Sequence, residues 1–284
     1  MRIANLGGRA KLVVAPEAAL DIETATGGRF GPSPQAVYDR WDDFVAFMGG
    51  GDALDGPTEP WSAERSGPPS PTPRQVFAVA LNYRDHAAES GFEAPPSPLF
   101  FTKFVSAFSG PVSDVVLPEG KVDWETELVA VVGRTARRVD PAQAWSHVAG
   151  LAVGQDLSER VLQRSGPAPQ YSLGKSHQGF APQGPFLVTP DELAAPDDLA
   201  IGCELNGTPM QAARTSDMIF PVPDLISYLS QVVTLLPGDV IFTGTPPGVG
   251  MGRDPQVFLR PGDRLVSRIE GIGELHQTFR AAGG

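Results

Sequence analysis

One stretch governs how this chain can fold: Lys121 to Val132, Lys-Val-Asp-Trp-Glu-Thr-Glu-Leu-Val-Ala-Val-Val. Asp123, Glu125 and Glu127 alternate with Trp124 and Thr126 and lead into an apolar run, the pattern of a strand entering a core. Alternate residues of a strand point to the same side. The three carboxylates are therefore expected to face one way at intervals of about 7 Å, just where the strand becomes buried. Their mutual repulsion needs protons or a cation to offset it, and a hard divalent metal would supply that charge. A solvated acidic rim on a sheet edge would leave the same pattern, and the stretch alone does not choose between the two.

With 284 residues, 41% of them hydrophobic, the chain can bury a sizeable core, expected as one large domain with a smaller companion. Its 32 Gly and 29 Pro imply many turns and short elements, a β-rich enzyme more than a helical bundle. A net charge of −11 and the lack of a basic run argue against nucleic acid as a partner. Cys203 is the only cysteine, so neither a disulfide framework nor a thiolate metal cluster is expected. No signal peptide and no run of about 20 apolar residues is visible, and a cytoplasmic protein without a membrane partner is the expectation.

Residues 1–72 read as a small N-terminal domain with a Pro-rich linker, and 73–284 as the main domain. Met1 to Ala4 and Lys11 to Ala15 suit a hairpin across Gly7-Gly8. Val37, Trp41, Phe44, Val45 and Met48 recur at the spacing of one helix, stopped at Gly49-Gly50-Gly51. The segment from Gly51 to Pro73, with Ser-Gly-Pro-Pro-Ser-Pro-Thr-Pro at 66–73, reads as an extended connector.

Gln75 to Leu81 reads as a buried strand running into Asn82-Tyr83-Arg84-Asp85-His86-Ala87-Ala88-Glu89. Asn82 or Asp85 can cap a short helix that carries His86 and Glu89 on one face. A carboxylate beside an imidazole orients it and raises its basicity, although an exposed ion pair would look the same. Residues 150–163 read as a strand ending at Asp156 with a helix after it; Asp156 could cap that helix or reach a metal. Lys175, taken alone, reads as a surface lysine.

Asn206-Gly207 marks a hairpin between Leu199–Leu205 and Pro209–Ala212. Val222, Leu225, Ile226, Leu229, Val232 and Val233 mark one core helix. The glycine-rich turn Gly244-Thr245-Pro246-Pro247-Gly248-Val249-Gly250 fits neither common nucleotide-loop motif, and reads as backbone closely approaching a small ligand. Leu265–Ile269 and Gly273–Phe279 read as a final hairpin.

The order Asn82-Tyr83-x-x-His86-x-x-Glu89, Asp123-x-Glu125-x-Glu127-Leu128, Asp156-x-Ser158-x-Arg160, Gly174-Lys175-Ser176, Gly184-Pro185, Asn206-Gly207, Pro237-Gly238-Asp239 and Gly244-Thr245-Pro246-x-Gly248-Val249-Gly250 resembles the fumarylacetoacetate hydrolase family over about residues 73–280. The resemblance implies an α+β, β-rich fold, a mixed β-sheet roll, forming a homodimer around a divalent ion. Mg²⁺ is the expected ion, with Mn²⁺ or Ca²⁺ as alternatives. It implies Glu125, Glu127 and Asp156 as metal ligands, His86, Glu89 and Lys175 as catalytic groups with the dyad on a lid helix, and Gln163 and Thr245 as substrate-binding. The implied activity is hydrolysis of a C–C bond in a small 2,4-dioxo acid of acylpyruvate type. A decarboxylase, isomerase or hydratase of a related 2-oxo acid is the alternative, and a silent oxo-acid-binding homologue the further one. Two departures bear on the substrate: His177-Gln178-Gly179 stands where many relatives carry Asp and Thr, and Leu81 where some acylpyruvase-like members carry Arg.

Overall fold

A computed structural model describes residues 1–51, 54 and 56–283; Asp52, Ala53 and Asp55 of the expected connector, with Gly284, lie outside the described residues. Near-continuous apolar runs form the central strands, Thr126–Val132, Val148–Gln155 and Ala181–Val188, buried at every position. Strands covered on both faces have this composition. The three lie side by side and antiparallel. Beyond Thr126–Val132 the sheet continues through Val240–Phe242, Val76–Ala80 and Leu99–Phe101, and beyond Ala181–Val188 through Arg2–Leu6, Arg9–Ala15, Ala18–Asp21 and Thr58–Pro60. The architecture is the expected mixed, sheet-rich α+β fold.

A second sheet runs Thr208–Arg214, Ala200–Leu205, Arg264–Ile269, Gly273–Ala281 and Val112–Leu117. Its Val115, Cys203, Leu265 and Phe279 pack with Val129, Leu187 and Phe242 of the large sheet. On the opposite face, Leu128, Ala130 and Leu151 pack against Val222, Ile226 and Leu229 of the helix Val222–Val232. Each of the buried Val, Leu, Ile and Phe side chains contributes about 1.5–3 kcal/mol by leaving water. The helix is amphipathic as its spacing indicates, but Val232 in its last turn is 84% exposed and does not join the core.

Both expected glycine turns form hairpins, with Gly7 and Gly8 at φ 60° and 84° and Asn206 and Gly207 at 53° and 80°, the left-handed pair that two-residue hairpins require. The single helix expected around Val37 to Met48 is two, Pro34–Tyr38 and Trp41–Gly49. Arg40 leaves helical geometry between them, and its guanidinium donates to the Arg29 carbonyl at 2.7 Å. The connector is more than a spacer: it supplies the edge strand Thr58–Pro60 and buries Ser70, whose hydroxyl donates to the Gly238 carbonyl at 2.6 Å. Among the described residues no helix is long and apolar enough to cross a membrane.

Candidate metal centre

Strand register brings two distant acidic segments together. Thr126 lies opposite Gln155, and the ladder runs one step further, with the Asp156 N–H donating to the Glu125 carbonyl at 2.9 Å. Glu125 and Glu127 at the start of one strand thereby meet Asp156 just past the end of its neighbour. Each of the three offers a carboxylate oxygen within 4.8 Å of the others, and all three are buried.

Asp123 does not share their face. The strand breaks at Trp124 and Glu125; Val122–Asp123 pairs instead with Ser158–Glu159. The Asp123 carboxylate accepts from Arg160 Nε and Nη2 at 2.9 and 2.8 Å, and from the N–H groups of Gly250 and Met251 at 2.7 and 2.9 Å. Nor does Asp156 cap the following helix: Glu159 does, accepting from the N–H groups of Val161 and Leu162.

Lys175 is 1% exposed, not a surface residue. Its ammonium donates to Glu125 Oε2 at 2.7 Å, Asp156 Oδ2 at 2.6 Å and Ser158 Oγ at 2.8 Å. Burial alone would lower its pKa, but Asp156 and Glu125 more than offset that and raise it. A second buried ammonium, Lys103, donates to Asp156 Oδ1 at 2.5 Å and to the Lys175 backbone carbonyl. For Lys103 burial dominates and lowers the pKa. Arg160 Nη1 closes the group, donating to Glu125 Oε1 at 2.7 Å and Gln163 Oε1 at 3.0 Å.

These cations are unevenly shared. Burial pushes the Glu125 carboxyl up, yet Lys175 and Arg160 outweigh it and hold the group at about 2. Glu127 accepts one backbone N–H, from Gly244 at 2.8 Å. Burial first, then Asp156 and Glu125, push its pKa well above the ordinary range. An all-oxygen trio with one carboxylate lacking a cationic donor fits a hard divalent ion, which would remove the repulsion at Glu127.

The strands Val76–Ala80 and Val240–Phe242 run parallel and end side by side at the centre. The first leads into the helix Arg84–Glu89, whose first-turn cap position, Tyr83, makes no side-chain cap bond. Asn82 is therefore not a cap. Its amide donates to the carbonyls of Thr243 and Phe220 at 2.7 and 2.9 Å and so ties the helix to the glycine-rich turn. On the helix, His86 Nδ1 and Glu89 Oε1 are 2.8 Å apart. The His86–Glu89 pair is not an exposed one, because His86 is 6% exposed and Glu89 Oε2 accepts from the Gly248 N–H at 2.9 Å.

The glycine-rich turn also makes contacts that its composition does not show. Its N–H groups at Gly244, Gly248 and Gly250 donate to Glu127, Glu89 and Asp123, so the turn organises the carboxylates of the site. Gly248 has φ 104°, and a Cβ there would lie 2.1 Å from the Met210 carbonyl oxygen.

A cavity of about 40 Å³ lies between the helix and the centre, with His86, Glu125, Gln163, Lys175 and Thr245 on its wall. Glu125 is the member of the carboxylate trio that faces it. The Thr245 hydroxyl donates to the Thr126 carbonyl at 2.9 Å and accepts from Gln211 at 2.8 Å. Sequence reasoning missed Lys103 and gave Arg160 no role. The signal available for Lys103 was its place directly after the apolar strand Leu99–Phe101 and Thr102.

Fold and site together define a mixed-sheet protein with a buried three-carboxylate centre and a histidine–glutamate dyad over it. The profile described as Fumarylacetoacetate (FAA) hydrolase C-terminal matches residues 75–280, and the chain belongs to this family. It is 44% identical over 207 residues to the Bos taurus oxaloacetate tautomerase FAHD2A, mitochondrial, an alignment covering 72% of this chain and just under two thirds, 66%, of that relative. It is 47% identical over 206 residues, 72% of each chain, to 2,4-didehydro-3-deoxy-L-rhamnonate hydrolase of Sphingomonas sp. (strain SKA58). Its structure is similar to the crystal structure of maleylpyruvate hydrolase from Sphingobium sp. SYK-6 in complex with manganese (II) ion and pyruvate, at TM-score 0.77 and 28% identity, covering 99% of both chains.

Proposed function

We propose that the chain is a divalent-metal-dependent hydrolase that cleaves a C–C bond in a small 2,4-dioxo acid of acylpyruvate type. The observation that carries the reading is one cavity whose wall holds both an oriented histidine, His86, and Glu125 of the buried carboxylate trio. The relatives named as hydrolases support it, one of them seen with manganese and pyruvate. Mg²⁺ or Mn²⁺ as the ion and a homodimer as the assembly follow from the family resemblance.

Glu125, Glu127 and Asp156 would hold the ion, which when bound supplies positive charge to polarise the 2-oxo group and stabilise negative charge as the bond breaks. The protein's own groups do the rest. With Nδ1 bonded to Glu89, His86 keeps Nε2 free to take a proton from water. Glu89 is itself fixed by the Gly248 N–H, which sets the ring's orientation. Lys175 places a full positive charge beside Glu125 and Asp156, where an oxyanion of the substrate would form. Gln163, braced by Arg160, and Thr245, held between Thr126 and Gln211, line the space where the substrate is oriented. A cavity of about 40 Å³ has room for about one water, not for a dioxo acid, so the helix Arg84–Glu89 has to swing outward for substrate and close again over it.

The tautomerase among the relatives favours one second reading, keto–enol interconversion of a 2-oxo acid, which needs proton transfer but no attacking water. A panel of 2,4-dioxo acids assayed for pyruvate release, with Mg²⁺ or Mn²⁺ and then with EDTA, separates them. Metal-dependent pyruvate release supports the hydrolase. Enol–keto interconversion of oxaloacetate with no C–C cleavage on any panel member would replace it with the second reading.

A further inference from the structure

The wall of the cavity carries three cations, and two of them are already neutralised. Arg160 is bonded to Asp123 and Glu125, and Lys175 to Glu125 and Asp156. The third is Arg164, whose side-chain contact is Nη2 to Met251 Sδ at 3.5 Å. Among the described residues Glu125 is the only acid on this wall, and its two oxygens are engaged by Arg160 and Lys175. Nothing on the wall pairs with Arg164. In a chain of net charge −11 a free guanidinium at this position is a local attractor for an anion.

Its placement is set by the chain. Arg164 ends the helical turn Arg160–Gln163, four residues after Arg160. Groups four apart lie on one side of a helix, displaced by roughly one turn, about 5.4 Å. Arg160 is anchored at the carboxylate centre, so Arg164 lies about one turn further along the same cavity. Phe92, Phe101 and Tyr171 share the wall with it, and Arg164 is itself solvent-exposed, so its guanidinium is open to an incoming anion.

We propose that Arg164 is a specificity-determining residue that receives a second, distal carboxylate, so that the preferred substrates are 2-oxo diacids and not 2-oxo monoacids. The guanidinium offers parallel N–H donors to both oxygens of such a group. This inference rests on the reading of the centre as a site for 2-oxo acids.

The test is isothermal titration of the full chain with Mn²⁺, using oxalate, 2-oxoglutarate and 2-oxopentanoate. The last two share a chain length and differ by the distal carboxylate. The wild type is expected to bind 2-oxoglutarate about tenfold or more tighter than 2-oxopentanoate. In Arg164→Met that ratio should fall to near one while oxalate affinity stays within about twofold, and Arg164→Lys should be intermediate because a point charge replaces the fork. Oxalate binding with a wild-type ratio near one, or a ratio that survives in Arg164→Met, overturns the role of Arg164 alone. If neither oxalate nor either oxo acid binds the wild type, the reading of the centre fails and this inference falls with it.

Discussion

The ammonium of Lys103 donates to the backbone carbonyl of Lys175, so one buried lysine holds in place the chain that carries the other. Both ammonium groups also donate to Asp156, Lys103 to Oδ1 and Lys175 to Oδ2. Replacing Lys103 with Met removes a buried charge from a paired cluster and leaves Asp156 Oδ1 without its donor. Breaking a buried pair in this way costs about 3–5 kcal/mol. Urea unfolding of Lys103→Met at neutral pH should show a loss of this size, and a loss below about 1 kcal/mol would mean that Lys103 does not hold the centre together.

Glu127 gives a pH test with a definite sign. Its folded-state pKa lies above the ordinary value of 4.5, because burial and two neighbouring carboxylates disfavour its charge. A group raised in this way contributes its full stability below the ordinary value, and loses it as pH rises through the folded-state pKa. Metal-free wild type should therefore lose stability as pH climbs above about 4.5 toward neutrality. Glu127→Gln should flatten that slope, raise the metal-free Tm at neutral pH and abolish the Tm increase on adding Mn²⁺. Glu125, held at about 2, acts in the opposite window: its contribution is present above the ordinary range and lost as pH falls through about 2. A metal-free Tm lower in Glu127→Gln than in the wild type at neutral pH would show that Glu127 is not repelled there.

His86 separates water activation from other chemistry at the same centre. Removing a general base costs about 10²–10⁴-fold in rate. His86→Ala should lower kcat for C–C cleavage by that factor with little change in Mn²⁺ affinity, since the ring bonds to Glu89 and not to the carboxylate trio. Near-normal turnover in the variant would rule out His86 as the base and favour a reaction without an attacking water.

Gly248 links the glycine-rich turn to the dyad. It sits at φ 104°, and an added Cβ would meet the Met210 carbonyl oxygen at 2.1 Å. Gly248→Ala should cost about 2 kcal/mol or more. It should also lower kcat more than it weakens metal binding, because the N–H that fixes Glu89 moves. Equal losses in both would place Gly248 in general stability only.

Short-range spacing was the most legible part of the sequence. Glu125 and Glu127 two apart, and His86 and Glu89 three apart on a helical turn, come together as their periods indicate. The two hairpin turns were legible for the same reason. What escaped depends on partners far away in the chain. Lys103 is buried only because Asp156 and the Lys175 carbonyl, 53 and 72 residues on, arrive around it. Asp123 fits the alternation, but the strand breaks at Trp124, and Arg160 takes the carboxylate that alternation alone assigned to the trio. The glycine turn exposed its freedom of backbone but not the targets of its N–H groups, which are three carboxylates, Glu89 from the helix and Asp123 and Glu127 from the acidic stretch. Likewise, no local pattern shows that Arg2 pairs with Val188, which joins the first strand to the large sheet.

The most direct measurement is anomalous diffraction from a crystal soaked in Mn²⁺ and oxalate. A single strong peak is expected with one oxygen of Glu125, Glu127 and Asp156 each about 2.1 Å away and oxalate completing the shell toward His86. A well-ordered map with no peak between these three carboxylates, or with the ion bound elsewhere and Glu125 and Asp156 still bridged by Lys175, would contradict the assignment.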